Sequence, residues 1–309
     1  MKQIRRRILF LLKVVLSIFL LYLVIIKSGI TSIADSLTTI GPNFYLALAC
    51  ALLFTFLKVF KWHRLVLAAA GDGLTQMDAA KSYLVGMAGG LLTPGRVGEV
   101  ARAAYLNRQR KGLIVYLVAV DRIFEIAAVV LLALPGFLFY ADIAAMGLAV
   151  LVLAFLMAFV YYPEFPLRWL QRLLPGAGKF AAIQKQIAII VIQLKTIEPG
   201  VKFTQMGLAL LSYGAAILQF HFLLNNYHHS PLTTSMLTQP LIMLTNVLPL
   251  TIGGLGVREG AAMMLLSQFK VPRAASISSA FMLFLLNTAL PALAGTMVFI
   301  LAKKRKGKT

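Results

Sequence analysis

Acidic residues are scarce in this 309-residue sequence: 10 Asp and Glu stand against 30 Lys and Arg, which gives a formal net charge of +20. Charged residues make up 13% of the chain, whereas a soluble domain has about 25%. A single cysteine, Cys50, excludes an intrachain disulfide, a CxxC redox pair and a cysteine zinc site. The GxSxG, HExxH and P-loop motifs are missing, as is an aspartate-rich motif for a phosphate-bound metal. These absences predict a protein that is not an enzyme and that uses no metal or cofactor.

Apolar residues are what the sequence has in excess: 60% are hydrophobic and the mean hydropathy is +0.85. Such a chain lacks the polar groups to cover its surface in water, but in a bilayer its helices satisfy their own backbone groups. We therefore predict an all-α polytopic membrane protein with a single transmembrane domain over residues 1–309. The basic residues are expected to mark topology and to contact lipid headgroups rather than nucleic acid, because no nucleic-acid-binding module accompanies them.

Six apolar runs are long enough to cross a bilayer, for which a helix needs about 20 residues. In chain order they are residues 8–26, 44–60, 113–140, 143–162, 203–224 and 274–302. Two further apolar stretches, residues 82–106 and 232–269, are interrupted by glycine and proline. Aromatic residues at the ends of the runs are predicted to lie at the membrane interface, where amphipathic rings are enriched; they are Trp62, Tyr140, Tyr161, Tyr162 and Tyr227.

The basic residues fall almost entirely on one side of this arrangement. They cluster at residues 2–7, 58–81, 108–111, 168–202 and 303–308, whereas the other side receives Lys27, Lys270 and Arg273. Because cytoplasmic loops carry such an excess of Lys and Arg, both termini are expected in the cytoplasm. All the clusters share one side only if residues 82–106 and 232–269 each enter the membrane and return. Both stretches are therefore predicted to be re-entrant helical hairpins, in addition to about six full spans.

These elements divide the chain into two halves. Residues 1–140 form the first half, with the re-entrant element at 82–106, and residues 203–309 form the second, with the re-entrant element at 232–269. Residues 141–202 hold the fourth span and a cytoplasmic interfacial connector. Each re-entrant stretch has an apolar approach, a proline, clustered glycines and then Arg and Glu. Three spans separate the two stretches, so they are predicted to face opposite sides of the membrane as an inverted repeat.

The glycine breaks in these stretches predict where a transported group binds. Short broken helices in corresponding positions of two inverted halves are typical of transport sites. A helix that starts after such a break offers free N–H groups and a positive dipole end to an anion. The alternative is that the glycines only allow helices to pack closely. The breaks are Gly95, Gly98, Gly253, Gly254 and Gly256.

Charged residues also occur within segments whose hydropathy predicts that they lie in the membrane. Asp121 and Glu125 share one helix face, and the apolar run that follows them, residues 126–140, is too short to span alone. Each intramembrane charge costs about 2.5–3.5 kcal/mol, so these groups must be paired or hydrated. They either form internal ion pairs that fix helix packing, such as Arg122 with Glu99, or line a cavity for a lipid headgroup or phosphate. Because the charges coincide with the helix breaks, we favour the cavity, with candidate transport residues Arg96, Glu99, Arg102, Asp121, Arg122, Glu125, Arg258 and Glu259.

Isolated uncharged polar residues in the spans are interpreted as structural. Asn287, near Pro291 in the last span, either lines a cavity or satisfies the backbone at a kink, and the kink is the simpler account. His221 and Gln219 are expected to make packing hydrogen bonds.

Three motifs, in order along the chain, resemble those of the flippase-like family related to the membrane region of lysylphosphatidylglycerol synthases. Residues 94–102, PGRVGEVAR, are similar to the family's P-x-R-x-G-E-x-x-R element, and residues 121–125, DRIFE, to its acidic–Arg pair with a second acid. Residues 248–260, LPLTIGGLGVREG, are similar to its late G-G-x-G-x-R-E element. The resemblance covers nearly the whole chain and implies a lipid cargo in a bacterial-type cytoplasmic membrane. In characterised members the membrane region flips a lipid that a soluble domain has modified; these 309 residues include no such domain, so synthesis is not expected.

The sequence therefore predicts a lipid translocase that moves a phospholipid or another polar-headgroup lipid, with membrane lipids, chiefly phosphate-bearing ones, as its partners. The arginines would attract the anionic headgroup, and the carboxylates would pair with them at rest or hold a cationic headgroup during passage. One alternative is a non-catalytic membrane partner of a lipid-modifying or glycosyltransferase complex. A second is a membrane enzyme with an undetected site on Glu99, Asp121 and Glu125.

Overall fold

The protein is described by a computed structural model over residues 41–70, 73–106, 111–140, 143–162, 197–245, 251 and 254–306, with single positions between 181 and 195. Every regular element in these ranges is helical. Four segments are long and apolar enough to cross a membrane: Pro42–Ala69, Leu113–Tyr140, Pro199–Asn225 and Arg273–Ala302. The all-helical membrane architecture is thus confirmed. The predicted first span, most of the connector before Lys202 and the break at Gly253 lie outside the described residues.

In chain order the helices are α1 (Pro42–Ala70), α2 (Gln76–Leu92), α3 (Ala101–Leu106), α4 (Lys111–Tyr140), α5 (Ile143–Tyr161), α6 (Pro199–Asn225), α7 (Leu232–Leu244), α8 (Val257–Ser267), α9 (Arg273–Phe284) and α10 (Leu290–Lys306). A 3-10 segment, Pro94–Val100, joins α2 to α3, and a π-helical segment, Leu285–Ala289, makes α9 and α10 one continuous span. The predicted fourth span, α5, has a shorter apolar stretch, Met146–Phe159, than the four long segments.

Helices α1 and α6 pack side by side in opposite directions. At one end Asn43 Nδ2 donates a hydrogen bond to the carbonyl of Asn225 over 3.1 Å. Near the other end Gln205 Nε2 donates to the carbonyl of Lys61, also over 3.1 Å. This antiparallel pair defines two ends of the bundle, against which the remaining elements are placed.

Residues 76–106 fold back on themselves and are named the first hairpin. Ser82 Oγ donates to the carbonyl of Arg102 over 3.3 Å, and the backbones of Gly89 and Gly98 touch. A Cβ at either glycine would collide with the other backbone, so this crossing requires two glycines. Leu74 and Leu106, at the two ends of the hairpin, pack into one apolar cluster at the α1 C-terminal end of the bundle.

Helices α7 and α8 are together named the second hairpin; α7 begins and α8 ends at the opposite end of the bundle. The preceding Ser230 N donates to Asn225 Oδ1 over 3.0 Å, at the C-terminus of α6. Beyond the turn, Tyr140 Oη donates to the carbonyl of Leu265 over 2.8 Å. Gly254 and Gly256 have φ values of 75° and 80°, a left-handed conformation that favours glycine at these breaks.

Each hairpin packs against the last span of the other half. Helix α2 lies on α10, where Gly295 touches the backbone of Leu84. Helix α7 lies on α4, where Gly136 touches the carbonyl of Leu237. In both contacts a glycine on the long span admits the first arm of a hairpin, because the missing side chain lets the backbones approach.

Candidate functional site

A partly open cavity of about 260 Å³ lies where the two hairpins meet the long spans. Both hairpins contribute to its wall, as do α1, α4, α6 and the π-helical segment. Its charged lining residues are Lys58, Arg96, Arg122, Glu125 and Arg258. Its uncharged polar lining residues are Tyr83, Tyr213, Gln239, Asn287 and Thr288.

The Glu125 carboxylate, on α4, ties that helix to α1. Its Oε1 lies 2.6 Å from Lys58 Nζ and 3.2 Å from Lys61 Nζ. Its Oε2 lies 2.6 Å from Arg122 NH1 and accepts a hydrogen bond from Tyr213 Oη over 3.4 Å. Because every one of these groups is a donor, the carboxylate is fully occupied.

Lys58 and Lys61 correct the sequence interpretation, which placed them after the second span as topology signals. Helix α1 continues to Ala70, and the two lysines are 3% and 0% exposed within it. They lie one helical turn apart on the face towards α4, where Asp121 and Glu125 also lie one turn apart. The acidic pair on α4 therefore meets a basic pair on α1. The sequence analysis did not predict this contact, because it ended the second span at residue 60.

Arg102 joins the first hairpin to α4. Its NH2 lies 2.9 Å from Glu99 Oε2, and its NH1 lies 2.9 Å from Asp121 Oδ2. Its guanidinium carbon lies 4.8 Å from the ring centroids of both Trp62 and Tyr83, a favourable cation–π distance. The prediction that Trp62 is interfacial is wrong: it is fully buried, and its indole N–H donates to Ser82 rather than to headgroups.

Glu99 also accepts from Arg122, the pair that the sequence analysis named. Arg122 Nε lies 3.0 Å from Glu99 Oε2, and Arg122 NH2 contacts the other carboxylate oxygen. Glu99 is 1% exposed, whereas the Arg122 side chain is 26% exposed and lines the cavity. The carboxylate is thus behind the wall, and the arginine is at its surface.

Arg96, at the turn of the first hairpin, is held more loosely. Its NH1 lies 3.9 Å from Glu99 Oε1, and its NH2 donates to Thr288 Oγ1 over 3.3 Å. Its φ of 57° is left-handed, a conformation that costs free energy for a residue other than glycine and that clusters at functional sites. Thr288 belongs to the π-helical segment, another feature frequent at functional sites.

Arg258 and Glu259, on the second hairpin, pair with each other. Arg258 NH2 lies 2.6 Å from Glu259 Oε1, and Glu259 Oε2 accepts the Gly256 N–H over 2.7 Å. Glu259 therefore caps the start of α8, as a carboxylate in the first turn commonly does. Arg258 lines the cavity with its guanidinium 4.6 Å from the Phe284 ring centroid.

Uncharged amides complete the wall: the sequence analysis gave cavity lining as one interpretation of Asn287, but it missed Gln239. Asn287 Nδ2 donates to Gln219 Oε1 over 2.7 Å, so both residues reach the cavity region together. Gln239 is fully buried, and neither of its amide atoms has a hydrogen-bond partner among the described residues. Its position beside Pro240, within a glycine- and proline-broken apolar stretch, was the available signal.

Ion pairs connect eight charged residues into one network: Lys58, Lys61, Arg96, Glu99, Arg102, Asp121, Arg122 and Glu125. Arg258 and Glu259 form a separate pair whose arginine lines the same cavity, and all ten residues together are named the ionic cluster. Of the eight candidate transport residues, Arg96, Arg122, Glu125 and Arg258 line the cavity. Glu99, Arg102 and Asp121 lie behind the wall, and Glu259 caps α8. Six cations face four anions in this cluster, which leaves two formal positive charges. Among the described residues no group of three His, Cys, Asp or Glu is arranged to hold a metal ion.

Comparison with known proteins gives one family. The model of the family described as "Lysylphosphatidylglycerol synthase TM region" matches residues 10–295. No curated protein and no solved structure gives a significant match. The match spans all three motifs from which the resemblance was drawn, and it confirms that resemblance.

Proposed function

The chain belongs to the lysylphosphatidylglycerol synthase transmembrane-region family, and from this premise we propose that it moves a phospholipid or another polar-headgroup lipid across its membrane. Its helices and its family make it a multi-pass membrane protein related to lipid modification or translocation. The proposed location is a bacterial-type cytoplasmic membrane with both termini in the cytoplasm. The proposed activity is movement without a chemical step on the lipid.

The observation that carries this proposal is the charge excess around the cavity. Buried charges cost several kcal/mol each unless they are paired, and the ionic cluster keeps two more cations than anions. An anion in the cavity would balance them, and arginine forks match phosphate oxygens well. A phosphate-bearing headgroup is the anion that a membrane supplies in quantity.

Such a headgroup can enter the cavity if its phosphate replaces the present partners of the lining arginines. Arg96 and Arg122 are 28% and 26% exposed at the cavity, while Arg102 behind them is 1% exposed. A phosphate can replace the long Arg96–Glu99 contact and the Thr288 hydrogen bond, while Glu99 keeps Arg102. No charge is then left bare at any stage, which lowers the barrier to entry and release.

The placement of the hairpins supports an inverted repeat. They begin and end at opposite ends of the bundle, and each packs against the last span of the other half. In a Cys50→Ala background, an impermeant thiol reagent should reach the exposed Gln76→Cys from one side of the membrane and the exposed Gln268→Cys from the other. Labelling of both from the same side would refute the inverted arrangement.

Lipid movement is tested with the purified protein in liposomes, by following fluorescent phosphatidylglycerol and phosphatidylethanolamine with an impermeant quencher. The protein should speed exchange between leaflets, and Arg96→Gln should slow it at least about tenfold, as expected for a lost charge-assisted hydrogen bond. The matched control is Arg64→Gln, at an exposed site on α1. Exchange no faster than in empty liposomes, with an enzyme that co-purifies at equal stoichiometry, would favour the partner protein over the translocase.

A further inference from the structure

Two arginines of the cavity wall, one from each hairpin, approach the same face of the last span. Arg96 NH2 donates to Thr288 Oγ1 over 3.3 Å. The guanidinium carbon of Arg258 lies 4.6 Å from the ring centroid of Phe284. Phe284 and Thr288 line the cavity and are four positions apart, so they lie on neighbouring turns of one helix face. The two guanidinium groups therefore meet the span at adjacent turns.

Both guanidinium groups have N–H donors that the described residues do not use. The contact from Arg96 NH1 to Glu99 Oε1 is 3.9 Å long, which is beyond hydrogen-bond distance. Arg258 is 4% exposed, and its NH2 donates to Glu259. Its Nε has no hydrogen-bond partner among the described residues. Buried donors are normally satisfied, so a donor without a partner points to a bound water or ion.

Gln239 adds a third unused donor on the second hairpin. It is fully buried, it lines the cavity, and neither of its amide atoms has a partner within the described part of the chain. An amide NH₂ group and a guanidinium both present N–H donors to whatever lies between them. The cavity wall therefore carries donors from both hairpins that suit an acceptor with several lone pairs.

Charge distinguishes an anion from water as that acceptor. The eight-residue ion-pair network of the described chain has five cations and three anions, whereas Arg258 and Glu259 balance each other. The excess of two positive charges therefore lies in the network to which Arg96 belongs. Water would satisfy the unused donors but would leave this excess in place, whereas an anion does both.

The rest of the lining favours an anion of single charge. Apolar side chains form much of the wall, among them Met87, Ile242, Leu283 and Phe284. They replace water poorly, and the cost of removing an ion from water grows with the square of its charge. Chloride therefore suits the site better than sulfate, and the volume of about 260 Å³ is ample for it.

We propose that a small inorganic anion of single charge, such as chloride, binds in the cavity between Arg96 and Arg258, with Gln239 as a further donor. The anion joins the turns of the two hairpins. A lipid phosphate that enters the cavity competes with it for the same arginines, and this competition alone rests on the proposed function. The anion site itself needs no lipid.

The test measures chloride binding to the full chain in detergent, by equilibrium dialysis against radioactive chloride in a gluconate buffer. Wild type should bind chloride saturably, with one ion per chain. Arg96→Gln should weaken binding at least about tenfold, because it removes a charge-assisted hydrogen bond. The matched control is Arg273→Gln, which removes the same charge at an exposed site at the start of α9 and should leave binding unchanged.

Gln239→Leu is a second variant, which removes a donor and keeps the charge. It should weaken chloride binding about threefold to tenfold, as expected for one lost hydrogen bond. Arg96 is 28% exposed and Gln239 is unpartnered, so both variants are expected to fold, and thermal unfolding provides the check. Bromide should displace chloride at lower concentration than sulfate does.

Three results would overturn the inference, in whole or in part. Wild type without saturable chloride binding would refute the site, as would Arg96→Gln that binds as tightly as Arg273→Gln. Sulfate that displaces chloride as well as bromide does would refute the selection for a single charge. Chloride binding without lipid movement would leave the site standing and refute the translocase, and lipid movement without chloride binding would do the reverse.

Discussion

The two hairpins carry the same residue types beside their turns, an arginine and a glutamate among glycines, but use them over different distances. In the first hairpin Glu99 contacts Arg102 of its own hairpin and Arg122 of α4, so it links separate elements. In the second, Glu259 bonds the Gly256 N–H and its neighbour Arg258, all within one turn of α8. The same motif therefore fixes helix packing in one half and caps the start of a helix locally in the other.

This difference explains why the two sides of the cavity differ. The carboxylates of the first half pair with lysines of α1 and with arginines of α4 and the first hairpin, and the cavity lining from that half is mostly charged. The second half satisfies its charges locally, so its remaining wall is built from amides and hydroxyls. The two halves therefore contribute different lining residues to one cavity, and they meet where Arg96 donates to Thr288 and Tyr213 donates to Glu125.

The largest expected contrast comes from the same isosteric change in both motifs. Glu99→Gln leaves Arg96, Arg102 and Arg122 short of a buried negative charge, and it should lower the free energy of unfolding by about 3–5 kcal/mol. Glu259→Gln keeps an oxygen that can accept the Gly256 N–H and leaves one buried arginine unpaired instead of three, so a loss of about 3 kcal/mol, at the lower end of the same range, is expected. Unfolding in mixed micelles, followed by helical circular dichroism, measures both.

The control for this comparison is Glu198→Gln, because Glu198 is exposed at the start of α6. Its effect should stay within about 0.5 kcal/mol. Equal losses for Glu99→Gln and Glu259→Gln would mean that the first motif is as local as the second, and the comparison would fail.

Glycine substitutions give the next largest contrast. A Cβ at Gly98 would meet the Gly89 backbone and lie 2.7 Å from Thr93 Oγ1, so Gly98→Ala should cost about 2–3 kcal/mol through forced separation of the hairpin arms. Gly256 has a φ of 80°, so Gly256→Ala should cost about 1–2 kcal/mol through left-handed backbone alone. The same unfolding assay in micelles ranks the two variants by their loss of stability. A larger loss for Gly256→Ala than for Gly98→Ala would show that the second turn is the more crowded one.

The sequence predicted the elements of the fold better than the contacts between them. The predicted breaks within residues 82–106 and 232–269 fall between α2 and α3 and between α7 and α8, because glycine, proline and hydropathy mark such breaks locally. That both stretches are re-entrant stays a prediction. The Arg122–Glu99 pair was named because intramembrane charges must find partners. These features depend on local pattern and on the cost of burial, both of which are visible in one sequence.

Contacts between distant helices were not predictable in this way. Lys58 and Glu125 are 67 positions apart, and their pairing depends on how α1 and α4 rotate against each other. The basic residues at the end of α1 have the composition of a topology signal, so Lys58 and Lys61 were assigned to a loop and Trp62 to the interface. Gln239 was overlooked because a single amide in an apolar helix has no pattern of its own.

The smallest expected effect belongs to Gly260, the last glycine of the second motif. Among the described residues, no atom outside its own helix lies within 4 Å of where its Cβ would be. It is inside α8, with its N–H bonded to the Gly256 carbonyl. Gly260→Ala should therefore raise the free energy of unfolding by up to about 1 kcal/mol, as alanine does in a helix interior. If the variant is instead less stable, Gly260 faces a neighbour that the described contacts do not include. If it is more stable but moves lipid more slowly, the glycine serves a conformation in which α8 packs more closely than here, and the second hairpin is the moving half of the pair.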